Sequence, residues 1–191
     1  MINKIRKLII KKNIDGYIVP KNDKFFTEYS EISNLETVSK FNGSAGFAII
    51  LKNKNYLFVD GRYTIQAKKQ AGKNFQIFEI PLIWPKNIFA TLKYKIKIGF
   101  DPKLFTYNSL KNYFDDACDL TPINEDLFKK SKNKKKDKNK FYNLSEKVVG
   151  ENYKSKINKV TKILNKKKID YLFVSAGENV CWLMNIRGKD L

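Results

Sequence analysis

With 191 residues, 42% of them hydrophobic and 14% aromatic, the chain can bury the core of one large domain, or of one domain and part of another. The formal net charge of +19 raises nucleic acid or an anionic membrane as partner, but only three of the 38 basic residues are Arg, the side chain whose planar fork suits phosphate and base edges. The charge is therefore read as solvated surface, with neither nucleic acid nor membrane expected. No His occurs, and Cys118 and Cys181 are widely separated, which removes Ser-His and Cys-His dyads and most zinc sites. The start, Met1 to Ile10, is amphipathic and lacks the apolar core and cleavage site of a signal peptide. No window reaches the ~18 apolar residues of a membrane span, so a cytoplasmic, reducing setting is expected.

Residues 2 to 12 place Ile5, Leu8 and Ile9 on one face, a helix period that stops at Asn13. A buried strand, Tyr17 to Val19, ends at Pro20. Residues 24 to 34 read as a short helix and loop with exposed Phe25, Phe26 and Tyr29, and Val38 to Phe41 as a short strand. Phe47 to Leu51 and Tyr56 to Val59 are β-prone runs joined by the polar Lys52-Asn53-Lys54-Asn55, which predicts a hairpin. A helix is expected over 62 to 71 with Gly72 as its C′ residue, then a strand at 75 to 80, a helix at 84 to 95 and a strand at 96 to 100. Thr106 is placed to cap a helix that puts Leu110, Tyr113 and Phe114 on one face, and Leu120 to Ile123 completes the set with a strand.

Residues 129 to 140 hold eight Lys in twelve positions and read as a linker, since such self-repulsion resists packing. Beyond it the opening recurs. Residues 5 to 19 align without gaps on residues 160 to 174, and each core-facing aliphatic of the first helix has an apolar counterpart in the second. Each copy is a helix feeding a strand, so two related α/β domains are expected. The second copy predicts a strand at Tyr171 to Val174 and a helix at Glu178 to Asn185. A lone αβα unit leaves strand edges uncovered, so the chain is expected to be a fragment of a longer protein.

The ordered set Asp15-Gly16-Tyr17-Ile18-Val19-Pro20, Asp23, Glu28-Tyr29, Phe41-Asn42-Gly43-Ser44-Ala45-Gly46, Asp60-Gly61-Arg62-Tyr63 with Gln66-Ala67, Gly99-Phe100-Asp101-Pro102 and Trp182 to Asp190 resembles the N-terminal part of the cytosolic three-domain Xaa-Pro aminopeptidases of the creatinase and prolidase superfamily. The resemblance implies an α/β fold: a creatinase N-terminal-type mixed sheet flanked by helices over residues 1–128, a Lys-rich linker at 129–147, and the start of a second related domain at 148–191. It also implies a homodimer, proline-containing peptides as substrates, and a C-terminal pita-bread domain that holds two divalent metal ions, usually manganese. That domain is absent from this chain, so no catalytic or metal-binding residue is expected in it. The alternative is a stand-alone creatinase-type domain that binds a partner without catalysis.

Gly43 to Gly46 is read as a tight turn with glycines at positive φ rather than a phosphate loop, because a strand follows it. Two readings of Arg62 stay open. Asp60 caps the following helix and Arg62 pairs with a nearby carboxylate, or, as the resemblance implies, Arg62 points into the cleft shared with the catalytic domain and meets the peptide backbone or carboxylate beyond the proline. Trp182, among Val180, Leu183 and Met184, is expected in a core. For the exposed aromatics near Phe25 two readings also stay open, a subunit contact, which the resemblance to dimeric enzymes implies, and packing within the surface loop.

Overall fold

A computed structural model of the chain describes residues 1–27, 33–125, 127–128 and 141–188. They fall into two compact units, Met1–Ser131 and Lys132–Leu191.

The first unit is built on a six-stranded mixed sheet in the order β4-β3-β2-β1-β5-β6. Helix α1 (Ile2–Lys11) buries Ile5, Leu8 and Ile9 and hands the chain to β1 (Gly16–Pro20), every residue of which is buried. Such two-sided burial marks a central strand. β1 pairs antiparallel with β2 (Gly46–Leu51) and parallel with β5 (Ile96–Phe100). β2 and β3 (Asn55–Asp60) form the expected hairpin, closed by a bond from the Leu51 N–H to the Lys54 carbonyl at 2.8 Å. Strand β4 (Gln76–Ile80) runs parallel to β3, and β6 (Cys118–Pro122) parallel to β5. Within the sheet β2 alone is reversed, so the carboxyl ends of the other five strands lie along one edge together with the start of β2.

Alternation along the strands splits the core in two. Tyr17, Val19, Ala48, Ile50, Leu57 and Val59 meet α1, α2 (Asn34–Ser39) and α3 (Thr64–Ala71) on one face. Ile18, Phe47, Ile49, Tyr56, Phe58 and Ile98 meet α4 (Pro85–Phe89) and α5 (Tyr107–Phe114) on the other. Fully burying one such side chain stabilises by about 1.5–3 kcal/mol. α5 is capped as its sequence predicts: the Ser109 N–H donates to Thr106 Oγ1 and the Thr106 N–H to Ser109 Oγ, each at 3.1 Å.

Three local expectations fail. Val38 to Phe41 is not a strand, because Ser33 caps α2 by accepting from the Glu36 N–H and Lys40, at φ 70°, ends it in the left-handed region. Gly72 ends α3 at φ −59°, not in that region; a Cβ there would sit 2.5 Å from the Lys68 carbonyl oxygen, so close approach explains the glycine. The helix expected over 84 to 95 is confined to α4.

In the second unit, β7 (Tyr142–Asn143) pairs antiparallel with β8 (Ile186–Arg187), and α6 (Glu146–Val149) follows β7. Residues 142–143 and 146–147, read from the sequence as linker, thus carry regular structure. α7 (Tyr153–Lys166) begins at Asn152, whose side chain accepts from the Ser155 N–H, and α8 (Gly177–Met184) ends at Asn185 in the left-handed region. The repeat reaches the helix ends. Ile14 N–H donates to Ile9 at 3.1 Å and Ile169 N–H to Leu164 at 3.0 Å; Asn13 and Lys168 have φ of 50° and 54°. Both helices close with the six-residue hydrogen bond of a Schellman turn.

After that shared turn the two copies diverge. Tyr171 to Val174 forms no strand, and Tyr171 and Phe173 are 91% and 89% exposed where Ile18, the counterpart of Phe173, is 0%. A strand exists through its neighbours, and among the described residues none lies beside this segment.

Candidate functional site

The two ends of the segment from Phe41 to Tyr63, residues 41–46 and 60–63, lie at the sheet edge where the parallel strands end, the usual place for function in α/β folds. Its backbone is fixed from both sides. Lys40 turns the chain out of α2, and Phe41, fully buried, packs edge-on against the Tyr63 ring at 5.9 Å. The Ser44 and Tyr63 hydroxyls share a hydrogen bond of 2.8 Å. Of the two glycines expected at positive φ, Gly46 is at 148°, where a Cβ would come within 2.6 Å of the Phe58 carbonyl oxygen. Gly43 is not at positive φ; a Cβ there would strike the Phe41 ring.

At the far end of β3, Asp60 is extended and its side chain accepts from the Arg62 N–H at 3.0 Å and from Arg62 Nε at 2.8 Å. Those bonds from Arg62 hold the Asp60 carboxyl below the usual carboxylate range. The capping and pairing geometry of the first reading of Arg62 is therefore present. The guanidinium also lies 5.5 Å from the Tyr63 ring centroid, and the side chain keeps 72% of its surface in solvent. A single turn of 3₁₀ helix, Gly61–Tyr63, carries Arg62 into α3.

A polar network that single-residue reasoning missed joins the turn to α3. Asn42 Oδ1 accepts from Gln66 Nε2 at 2.7 Å and from Gln70 Nε2 at 2.9 Å, while the Asn42 N–H donates to Gln70 Oε1 at 3.2 Å. Its sequence signal was the four-residue spacing of Arg62, Gln66 and Gln70, which places them along one helix face. A crevice of about 490 Å³ opens elsewhere on this edge, between the ends of β1 and β5, lined by Asp23, Asn34, Asp101 and Lys103 among others; Arg62 is outside it.

Other expected residues are dispersed. Phe25 and Phe26 are 73% and 54% exposed, and Tyr29 lies outside the described residues. Trp182 is not in a core: it is 58% exposed, because α8 turns it outward over the Lys156 side chain. Arg187 donates to the carbonyls of Cys181 and Ile186. Among the described residues no group of three or more His, Cys, Asp or Glu is placed to hold a metal ion, and no helix is long and apolar enough to cross a membrane.

Sheet order, reversed β2 and two-sided helical cover define a three-layer α/β domain. The family model described as Creatinase/Prolidase N-terminal domain matches residues 1–128, and a second model of the same description matches residues 131–191. The chain belongs to the creatinase/prolidase N-terminal domain family. It is 33% identical over 200 residues to a probable Xaa-Pro aminopeptidase P of Coprinopsis cinerea, covering 98% of this chain and 32% of the relative. It is 28% identical over 210 residues to Xaa-Pro aminopeptidase 1 of Dictyostelium discoideum, covering 100% of this chain and 34% of the relative. The chain thus spans about a third of the length of these relatives. Its fold is that of an X-prolyl aminopeptidase from Caenorhabditis elegans, described as a cytosolic enzyme with a di-nuclear active site: TM-score 0.75 at 22% identity, covering 100% of this chain and 34% of that one.

Proposed function

We propose that the chain is the N-terminal, non-catalytic portion of a metal-dependent Xaa-Pro aminopeptidase, which removes the first residue from peptides with proline in second position. The observation that carries this reading is the family match over both units, together with relatives of that name about three times as long. The residues present do not fit a di-metal centre: the sequence has no His, and the described acidic residues are dispersed. The two divalent ions, manganese by resemblance, belong to a C-terminal domain, and this chain's part is to shape the approach to it.

Within that role Arg62 is the residue assigned to the peptide. It stands exposed at the sheet edge, and its fork suits a carboxylate or backbone carbonyls beyond the proline. Phe25 and Phe26 offer a subunit contact in a cytoplasmic homodimer.

Two assays test the reading. The purified 191-residue chain supplied with manganese is expected to release no residue from an Ala-Pro peptide, and metal-dependent release would overturn its non-catalytic assignment. In the enzyme that carries this chain, Arg62→Ala is expected to lower kcat/KM about tenfold, the loss of one charge-assisted hydrogen bond. An unchanged kcat/KM would overturn the assignment of Arg62 to the peptide.

A further inference from the structure

Two members of the network beside Arg62 have hydrogen-bonding capacity left over. Asn42 uses its side-chain oxygen twice and Gln66 uses its side-chain nitrogen, on Asn42 and on Gln70. Among the described residues, Asn42 Nδ2 donates to nothing and Gln66 Oε1 accepts from nothing, whereas Gln70 has both its oxygen and its nitrogen engaged. What remains is one donor and one acceptor on adjoining amides, one helical turn along from Arg62. Neither side chain is free to turn away. Gln70 and the Asn42 backbone N–H fix one end, and the Phe41–Tyr63 ring contact with the Ser44–Tyr63 hydrogen bond anchors the loop.

A donor and an acceptor side by side match extended peptide backbone, in which the N–H and C=O of one residue point to the same side, as across a β-ladder. Proline has no N–H, so in an Xaa-Pro peptide the first residue past the scissile bond able to make both contacts is the third. We propose that Asn42 and Gln66 bind the backbone of the third residue of the peptide, Gln66 Oε1 accepting its N–H and Asn42 Nδ2 donating to its carbonyl, so that recognition depends on peptide length and not on the third side chain. This rests on the reading of Arg62 as the residue that faces the peptide.

The test compares three substrates in the enzyme that carries this chain: Ala-Pro, Ala-Pro-Ala-Ala, and the tetrapeptide N-methylated at its third residue. Gln66→Ala and Asn42→Ala are each expected to lower kcat/KM for the tetrapeptide about fivefold to tenfold while leaving Ala-Pro, which lacks the third residue, unchanged. N-methylation is expected to cost the wild type a similar factor and to add nothing in Gln66→Ala. Equal losses on Ala-Pro and the tetrapeptide would reduce the amides to a brace for the loop and overturn the proposal, as would no loss on either. Arg62→Ala separates the two readings: if it changes neither substrate while Gln66→Ala acts on the tetrapeptide alone, Arg62 loses its assignment and the amide pair keeps its own.

Discussion

The Lys156 ammonium lies 4.2 Å from the centroid of the Trp182 ring and donates to the Trp182 carbonyl at 2.8 Å. It also donates to Asn185 Oδ1 at 2.7 Å, and the residue is only 4% exposed. A buried cation is tolerated when its donors are matched, and here three partners on the end of α8 match them. Lys156→Met keeps the stem and removes the donors, leaving the Asn185 oxygen without its partner. We expect a loss of about 2 kcal/mol in the second unit, read by urea denaturation followed through Trp182 fluorescence in a Trp84→Phe background. A midpoint equal to the parent's would mean that the ammonium carries no stability.

Asp15 ties the start of β1 to its neighbours, accepting from Lys52 Nζ at 2.8 Å and from the Lys97 N–H at 3.0 Å. Burial pulls its carboxyl up, but these two donors outweigh it and hold the pKa below the usual value. A lowered folded-state pKa gives stability that is present above the unfolded value of ~3.9 and is lost as pH falls through the folded one. Asp15→Asn is therefore expected to cost about 1 kcal/mol at pH 7, with the gap to wild type closing in acid. Melting curves across that pH range check this; a gap that widens in acid would reverse the sign.

Gly46→Ala combines positive φ with a Cβ pressed on the Phe58 carbonyl, so a loss of about 1–3 kcal/mol is expected from thermal unfolding. Arg62→Ala removes an exposed pair with Asp60 and an exposed contact with the Tyr63 ring, and its melting temperature is expected to match the parent's. The contrast matters because the two residues flank one hairpin. If Arg62→Ala also unfolds the first unit, kinetic losses in that variant report stability and not recognition.

Hydrogen exchange separates the two copies of the repeat. The amides of Tyr17 and Ile18, in a strand paired with β2 along its length and with β5 at Gly16 and Tyr17, are expected to exchange only on global unfolding. Those of Leu172 to Val174 are expected to exchange at nearly unstructured rates in the 191-residue chain. Strong protection there would show that the segment has found a partner strand.

That repeat also marks the limit of what the sequence discloses. Apolar spacing located α1 and α7, and their matching ends follow from matching residues. It also suggested a strand at 171 to 174, because Leu172, Phe173 and Val174 resemble the buried run of β1, but residue pattern records preference and not the presence of a neighbour. The hairpin was legible since both its strands and its turn are local. Lys40 and Lys168 at positive φ were not, because Lys gives no glycine-like signal, whereas Asn13 stands where the helix period stops. At the candidate site Arg62 and Asp60 stood out as charges two residues apart, whereas the Asn42–Gln66 bond joins uncharged residues from different elements and only the fold brings them together.

The place of β1 between β2 and β5 has a kinetic consequence. Its antiparallel partner includes Phe47 and its parallel partner Ile98, so closing the centre of the sheet requires a far longer loop than the β2–β3 hairpin does. Distant pairings are slow because their entropy is spent before any contact repays it. We expect the hairpin to be formed in the folding transition state and the β1–β5 seam to close after it: Ile98→Val should accelerate unfolding with little change in the folding rate, while Leu57→Ala should slow folding. Stopped-flow chevrons with the opposite pattern would put the long-range seam first.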